Sequence, residues 1–173
     1  SNVIAMDGMF NGCYSLKTLD LSNFDTSNVM DMRDMFYDCY KNGGITSLDL
    51  SNFDTSNVMD MGGMFNYGGS YSVSDSQGLT SLDISNFNTS KVTRMNYMFA
   101  NHRKLTDLYI NFDVRSIKDD NYSYNDIFYN CYSLENVVGK FEGAKNFLNL
   151  SDCPLTTQSA MVFINGLATV TTT

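Results

Sequence analysis

Hydrophobic and polar positions alternate along this chain in two patterns. The letters "LDL" at 19–21 place a polar residue between two apolar ones, which predicts a short strand with one buried face. Apolar residues then recur at intervals of three and four from Val29 to Cys39, which indicates one or two helical turns. The stretch between them is polar, and Thr26 or Ser27 is placed to cap the helical turn. Strand, polar turn and helical turn together form one predicted unit.

The unit is repeated in the sequence. The fourteen letters LDLSNFDTSNVMDM at 19–32 return unchanged at 48–61, and a looser copy, LDISNFNTSKVTRM, occupies 82–95. The first apolar anchor of each unit recurs at intervals of 26–34 residues, at Leu16, Ile45, Leu79, Leu105 and Leu134. Such a period is typical of stacked repeat units, and the insertions after the Met-Phe pair are expected to lie along one edge of the stack.

The string LDLSNFDTSNVMDMRDMFYDCYKN resembles the BspA-type leucine-rich repeat, also called the Mycoplasma-type surface lipoprotein repeat. The resemblance covers about residues 1–141. It implies an α/β repeat fold, a right-handed leucine-rich-repeat solenoid with short parallel strands and about five coils of 25–34 residues. Ordinary leucine-rich repeats carry asparagine where this chain has Phe24, Phe53 and Phe87, and we expect these rings to stack inside the solenoid.

Residues 142–173 interrupt the period and are expected to hold a degraded last repeat and a C-terminal cap. After Pro154, Thr157 is placed to open a helix from Gln158 to Leu167. Its apolar face would consist of Met161, Val162, Ile164 and Ala168. This helix would close the open end of the stack, as the terminal units of repeat proteins must.

Composition narrows the possible functions. The 173-residue chain carries a net charge of −8, which argues against binding to nucleic acids or anionic membranes because both need basic patches. No apolar run is long enough to span a bilayer. The first letters, SNV, match residues 27–29, so the chain begins inside the pattern and we expect it to be a piece of a longer protein.

The four cysteines follow the repeat. Cys13, Cys39 and Cys131 each come three residues after a phenylalanine, and Cys153 takes the position of the interior phenylalanines. Spacing of this kind predicts reduced, poorly accessible thiols that pack like small apolar groups; a bridge between Cys13 and Cys39 is the alternative. His102, the one histidine, stands in a cysteine position and is expected to pack. No nucleophile is paired with a base, so we expect no enzyme activity.

Polar side chains that point outward from the predicted strands form one candidate binding surface. Stacking would align Asp20, Asp49, Asp83 and Tyr109 in a row on the sheet face. The row is either a solvated face or a strip that meets cationic groups, sugar hydroxyls or calcium. Apart from that calcium possibility, no cofactor or metal is expected.

Tyrosine-rich insertions form the second candidate surface. The segments NYGGSYSVSDSQG and DDNYSYND combine tyrosine with serine, glycine and asparagine, as adaptable binding loops do. Four tyrosines carry this prediction: Tyr67, Tyr71, Tyr122 and Tyr124. We expect them to be exposed if they bind a partner and buried if they only pack.

The resemblance implies a non-catalytic recognition or adhesion module of a bacterial surface or secreted protein, with protein or carbohydrate partners on a cell surface. A structural or receptor-binding module of a bacteriophage virion or tail is the alternative, and an accessory binding domain of a larger enzyme is a third. The expected location is extracellular or at the cell surface, or else in a virion. The sequence leaves the ligand and the oligomeric state open.

Overall fold

The computed structural model describes residues 2–40, 44–68, 78–118, 123, 125–144 and 148–167. Its regular elements are β1 (Ser81–Ile84), β2 (Asp107–Asp113), β3 (Asn136–Glu142) and α1 (Thr157–Leu167). The strands form one parallel sheet in the order β1-β2-β3. The helix packs against β3, the last strand.

The expected right-handed leucine-rich-repeat solenoid of about five coils is wrong. The described residues form three parallel strands in an open sheet and one helix. Leu82 lies in β1 and Leu108 in β2, as predicted. Leu19 and Leu48, which the same pattern placed in strands, lie in segments without strand structure.

A side-chain turn explains why strand structure is limited. The carboxylate of Asp83 accepts a hydrogen bond from the backbone N–H of Ser85 at 3.0 Å, and β1 ends at Ile84. Strands β2 and β3 have Tyr109 and Val138 in register with Asp83, and both continue for seven residues. A carboxylate that takes the backbone donor competes with the ladder of a sheet. The first two repeats carry the same aspartate turn.

The predicted helical turns are also wrong, although their apolar residues are buried. The segment from Met32 to Cys39 contains only turns, and both Asp34 and Asp38 adopt positive φ, at 54° and 60°. Tyr97 and Asn101 repeat this pattern two units later, at 57° and 68°. A left-handed residue every fourth position breaks a right-handed helix, so the spacing of three and four arises from successive turns instead.

The repeats nevertheless lie side by side in the register that the sequence predicts. Leu82 pairs with Leu108, which pairs with Val137. Isolated parallel bridges join equivalent residues of the first four repeats, Ala5, Asp31, Asp60 and Arg94. We call the nine positions from each bridge the turn segment of its repeat, numbered first to fifth: 5–13, 31–39, 60–68, 94–102 and 123–131, of which 124 lies outside the described residues.

Two sets of phenylalanines form the core. One ring from each turn segment stacks on the next at centroid distances of 5.5–5.8 Å, in the order Phe10, Phe36, Phe65, Phe99 and Phe128. Phe53 and Phe87, predicted to stack inside, are buried and lie 6.5 Å apart with nearly parallel rings, whereas Phe24 is only partly buried. The paired methionines of the second to fourth turn segments are fully buried, which confirms their predicted core position.

The C-terminal helix is confirmed, but its predicted apolar face is not. Thr156 caps α1, because its hydroxyl accepts a hydrogen bond from the backbone N–H of Ser159 at 3.2 Å. The buried residues are Ser159, Phe163 and Gly166. Met161 and Ile164 are exposed instead, and Ala168 lies outside the described residues.

Candidate functional site

Successive turn segments are joined by a directional ladder of backbone hydrogen bonds. In each segment the N–H groups of positions two, four, six and eight donate to the carbonyls of positions one, three, five and seven of the next. Between the second and third segments, for example, Met32 donates to Asp60 and Asp34 donates to Gly62. The N···O distances of this kind between all neighbouring segments are 2.7–3.0 Å. Donors therefore point toward one end of the stack and acceptors toward the other.

A groove interrupts the outer surface of the ladder at its third segment. Large polar residues occupy the third and fourth positions of the neighbouring segments, but here the chain has Gly62 and Gly63. The resulting cavity has a volume of about 640 Å³. Its walls are Arg33, Asp34 and Tyr37 on one side and Arg94, Asn96 and Tyr97 on the other, with Asp60, Asn66, Lys118 and Ser123 completing it.

The two glycines allow polar side chains to lie over the floor of the groove. A Cβ atom on Gly63 would overlap the Asp34 carboxylate, and Gly63 has a positive φ of 61°. A Cβ atom on Gly62 would lie 2.9 Å from the Oδ1 atom of Asn96. The absence of side chains at 62 and 63 thus places a carboxylate and an amide directly above the backbone.

Opposite charges are interleaved along the groove. Arg94 lies 3.7 Å from Asp60, whose side chain is mostly buried and also accepts the Gly62 N–H at 2.9 Å. Arg33 lies 3.6 Å from Asp7. These are exposed guanidinium groups in loose ion pairs, which contribute little to stability and can reorient toward a ligand.

The Asp34 carboxylate is the unusual group in this groove. Burial raises its pKa; the neighbouring Arg33 opposes that rise, and the carboxylates of Asp60, Asp31 and Asp7 add to it. Among the described residues it has no hydrogen bond and no ion pair. A half-buried carboxylate without a partner favours any ligand that brings a donor.

Amides and aromatic rings complete the groove. Tyr97 is 41% exposed and Tyr37 is half-buried, so each presents part of its ring to the cavity. Asn66 accepts hydrogen bonds from the Gly68 N–H at 2.9 Å and from the Asn101 amide at 3.2 Å, which fixes its orientation. The groove therefore offers donors, acceptors and aromatic surface within one cavity.

The predicted sheet-face row is exposed, and turn hydrogen bonds use its carboxylates. Asp20, Asp49 and Asp83 each accept the backbone N–H two residues later at 3.0 Å. Hydrogen bonds from the following serines lower the pKa of all three. Tyr109 is 37% exposed and lies in register between Asp83 and Val138. Asp83 and Tyr109 are therefore neighbours on the sheet, as predicted.

Tyr67 follows the packing alternative. Its side chain is buried, with ring centroids 6.2 Å from Tyr40 and 5.8 Å from His102. Tyr71, Tyr122 and Tyr124 lie outside the described residues, so their role remains a prediction.

Three of the four cysteines occupy the ninth position of a turn segment, where two of them contact a backbone carbonyl. The thiol of Cys39 contacts the carbonyl of Phe10 at 2.7 Å, and that of Cys131 contacts the carbonyl of Phe99 at 3.1 Å. His102 makes the equivalent contact through Nε2 to the carbonyl of Phe65. Because a carbonyl can only accept, we assign the Nε2–H tautomer to His102.

All four cysteines are free thiols in the structure. Cys39 and Cys131 are buried, and Cys13 and Cys153 are partly exposed. Burial raises the pKa of Cys39 and of Cys153 to about 12. Thiols with such pKa values are almost entirely protonated at neutral pH and are poor nucleophiles.

Sequence reasoning missed the groove, although a signal was present. Within near-identical repeats, the third has the letters DMGGMF where the second has DMRDMF. The loss of two charged side chains at one position of a regular stack leaves a gap in the surface. The signal lies in the difference between one repeat and its neighbours, whereas the residues that the repeats share predict only the common fold.

The described part of the chain has neither a metal-binding cluster nor a membrane-spanning helix. It contains no cluster of three or more histidine, cysteine, aspartate or glutamate side chains arranged to hold a metal ion. Within the same ranges, no helix has both the length and the apolar character needed to cross a membrane.

Comparison with known proteins gives one match. The family described as "Mycoplasma protein of unknown function, DUF285" matches residues 1–81 and again residues 49–159. No curated protein and no solved structure matches the chain. The second match alone covers more than half of the sequence, and the two overlap in the repeated region. The chain therefore belongs to the DUF285 family.

Proposed function

We propose that this chain is a non-catalytic recognition module of a bacterial surface or secreted protein, and that it binds a glycan in the groove over Gly62 and Gly63. One observation carries the proposal: the half-buried carboxylate of Asp34, which has no partner among the described residues and faces a polar cavity of about 640 Å³. The resemblance to Mycoplasma-type surface repeats, with which the family match is consistent, supports an outward-facing role.

The chemistry of the groove favours a ligand with many hydroxyl groups. Each sugar hydroxyl can donate one hydrogen bond and accept others. Asp34 supplies an acceptor, Arg33 and Arg94 supply donors, and the amide of Asn96 supplies both. The partly exposed ring of Tyr97 adds an apolar surface with a polar tip, which suits the mixed faces of a pyranose.

The exposed face of the sheet is suited to a different class of partner, a protein surface. Tyr109 and Val138, in register on adjacent strands, are 37% and 51% exposed. An apolar pair on a sheet face suits a protein surface better than a sugar. It serves as the comparison site in the experiment, and the virion alternative also requires a protein contact of this kind.

The test uses the whole chain against an array of immobilised bacterial and host glycans, followed by calorimetry on the best ligand. The groove variants are Asp34→Asn and Tyr97→Asn. Asparagine tolerates positive φ, so neither change strains the backbone. The sheet-face variants Asp83→Asn and Tyr109→Ser are the matched controls, because both positions are exposed.

We expect Asp34→Asn to weaken glycan binding about 10- to 100-fold, the loss of a hydrogen bond to a charged acceptor. Tyr97→Asn should also weaken it, and the two sheet-face variants should bind as the parent does. Equal binding by both groove variants, or loss confined to the sheet-face variants, contradicts the proposal. The second result would favour a protein or peptide contact on the sheet.

A further inference from the structure

The groove is rich in cationic side chains although the chain as a whole is acidic. Arg33, Arg94 and Lys118 line it, and they are three of the eleven lysine and arginine residues in the sequence. Of the nineteen aspartates and glutamates, Asp34 and Asp60 belong to the described lining. Three positive charges therefore stand against two negative ones in the groove, whereas the net charge of the chain is −8.

The charges in the groove outweigh distant charges for a ligand that is bound there. The Debye length is about 8 Å at physiological ionic strength, so exposed charges that are farther apart than this distance are largely screened. Clefts with low-dielectric walls also concentrate the field of the charges that line them. The acidic composition of the chain therefore does not prevent an anionic group from binding in the groove.

Arg94 has hydrogen-bond donors available for such a group. Its guanidinium lies 3.7 Å from the carboxylate of Asp60, which is longer than a hydrogen bond, and its side chain is 60% exposed. It donates no hydrogen bond to any residue that the structure describes. Arg115, outside the groove, donates instead to both carboxylate oxygens of Asp113, at 2.8 and 2.5 Å. An arginine whose donors are not engaged in this way can bind a carboxylate or sulfate group through two parallel hydrogen bonds.

The side of the groove that the second turn segment forms is negative. Arg33 lies 3.6 Å from the carboxylate of Asp7 and 3.8 Å from that of Asp31. Asp34 adds a third carboxylate, which has no ion pair and no hydrogen bond among the described residues. Because three carboxylates accompany one guanidinium, this side favours groups that donate hydrogen bonds and disfavours an anion.

The opposite side of the groove is positive. Arg94 belongs to the fourth turn segment, and Lys118 precedes the fifth, which is its neighbour. The carboxylate that pairs with Arg94 is that of Asp60, whose side chain is only 17% exposed. Lys118 has no ion pair within the part of the chain that the structure describes. Two cations therefore face the cavity here, with one mostly buried carboxylate to balance them.

We propose that the ligand of the groove is an acidic sugar, whose carboxylate or sulfate group pairs with Arg94 and Lys118 while its hydroxyl groups donate to Asp34. This assignment rests on the glycan binding proposed above and names the kind of glycan. The two sides of the groove also set the orientation of the sugar, because the reverse orientation would place the anionic group against Asp34. A neutral sugar would leave the positive side without a counter-charge.

Matched pairs of immobilised oligosaccharides test the proposal on the whole chain. Each pair holds an acidic and a neutral member with the same sugar skeleton. Oligomers of galacturonic, glucuronic and sialic acid are compared with their methyl esters, and sulfated oligosaccharides are compared with their desulfated forms. Binding is measured at low and at physiological ionic strength, because salt weakens an ion pair and has little effect on a neutral ligand. The ratio of the two affinities within a pair is the readout.

Three variants locate the charge that the acidic member contacts. Arg94→Gln and Lys118→Gln each remove one positive charge from the groove. The matched control is Arg115→Gln, which removes the same charge from a 68% exposed side chain outside the groove. We expect the parent to bind the acidic member of at least one pair about 10-fold more tightly than the neutral member, with a smaller ratio at higher ionic strength. The ratio should fall about 10-fold in Arg94→Gln, fall less in Lys118→Gln and stay unchanged in Arg115→Gln.

Equal affinity for both members of every pair, or tighter binding of the neutral members, would overturn the acidic-sugar assignment and leave glycan binding intact. A ratio that falls only in Arg115→Gln would overturn it as well, because the anionic group would then bind outside the groove. Absence of binding to every glycan, acidic or neutral, would overturn the proposed function together with this assignment. A preference confined to the carboxylate pairs or to the sulfate pairs supports the proposal and identifies the anionic group.

Discussion

Protonation of His102 should destabilise the fold in mildly acidic solution. The imidazole is 1% exposed, with ring centroids 4.7 Å from Tyr40 and 5.8 Å from Tyr67. Among the described residues, the hydrogen bond of the ring is to the carbonyl of Phe65. A charged ring would gain a second donor in these surroundings, and no carboxylate of the described residues contacts it. We expect the variant His102→Gln, which keeps a donor and does not titrate, to lose this acid sensitivity.

The size of this loss of unfolding free energy follows from the pKa of His102. Burial lowers the pKa of His102 from 6.5 to about 4, and the hydrogen bond to Phe65 only partly opposes that change. The unfolded chain therefore binds a proton between pH 6.5 and 4 that the folded chain does not. Stability is complete above pH 6.5 and falls as the pH decreases toward 4. The loss is about 2 kcal/mol at pH 5 and about 3 kcal/mol when both states are protonated.

Urea denaturation at several pH values between 5 and 7.5 measures the effect. Only the change in unfolding free energy with pH is compared, so the constant cost of altered packing cancels. A second variant, His102→Cys, introduces the residue that Cys39 and Cys131 provide at the same position. Aspartates titrate mostly below this range and contribute alike to all three proteins. A parallel decline in the parent and both variants would refute the assignment of the buried neutral ring.

Three further outcomes follow from the packing. Phe65→Ala should cost about 3–5 kcal/mol of unfolding free energy, since Phe65 is fully buried between stacked rings. Met59→Ala, at a 48% exposed position, should cost under about 1 kcal/mol, and chemical denaturation measures both variants. Thr55→Val should cost about 1–3 kcal/mol because it leaves the partly buried backbone N–H and carbonyl of Asn88 without their partner, and Thr55→Ser should retain most of the stability in the same assay. Cys39 and Cys131 should resist a thiol reagent until denaturant is added, as mass measurement of the labelled protein would show; rapid native labelling would disprove their burial.

The sequence predicted the register of the repeats because their apolar positions are so regular. A one-to-one alignment of the leucines correctly paired Leu82, Leu108 and Val137. It did not predict where β1 ends, because the length of a strand depends on competition between the sheet ladder and a side-chain turn. The carboxylate of Asp83 accepts the backbone N–H of Ser85 at the end of β1. Tyr109, at the equivalent position of β2, has no carboxylate that could accept such a bond.

The turn segments were misread for a related reason. Spacings of three and four indicate a helix only when every residue adopts right-handed φ values. The fourth position is filled by Gly8, Asp34, Gly63, Tyr97 and Asp126, all with positive φ. Glycine and aspartate tolerate that conformation better than most residues, so the residue types at the fourth position indicate a left-handed turn. Tyr97 weakens this indication, because an aromatic residue rarely adopts positive φ.

Most of the residues that the repeats have in common make contacts between one repeat and the next. Thr55, for instance, donates to the carbonyl of Asn88 at 3.1 Å and accepts the N–H of the same residue at 2.8 Å. The side chain of Asn86 reaches the carbonyl of Leu50 at 3.0 Å. Since these contacts are satisfied within the stack, the common residues have little capacity left to bind a partner.

Binding capacity should therefore arise where a repeat departs from the shared pattern. The largest departure in the turn segments is the pair Gly62 and Gly63, and it opens the groove in which Asp34 has no partner among the described residues. Replacing Gly62 by arginine, the residue of the preceding repeat at Arg33, should fill the groove, because its Cβ would lie 2.9 Å from the Oδ1 atom of Asn96 and would displace that amide as the side chain enters the cavity. Glycan binding should be lost while the far-ultraviolet circular dichroism stays unchanged. The control change Gly12→Arg, outside the groove and at a site where an added Cβ meets no atom within 4 Å, should leave binding intact despite the strain of its positive φ. If Gly62→Arg binds as well as the parent chain, the groove is not the recognition site.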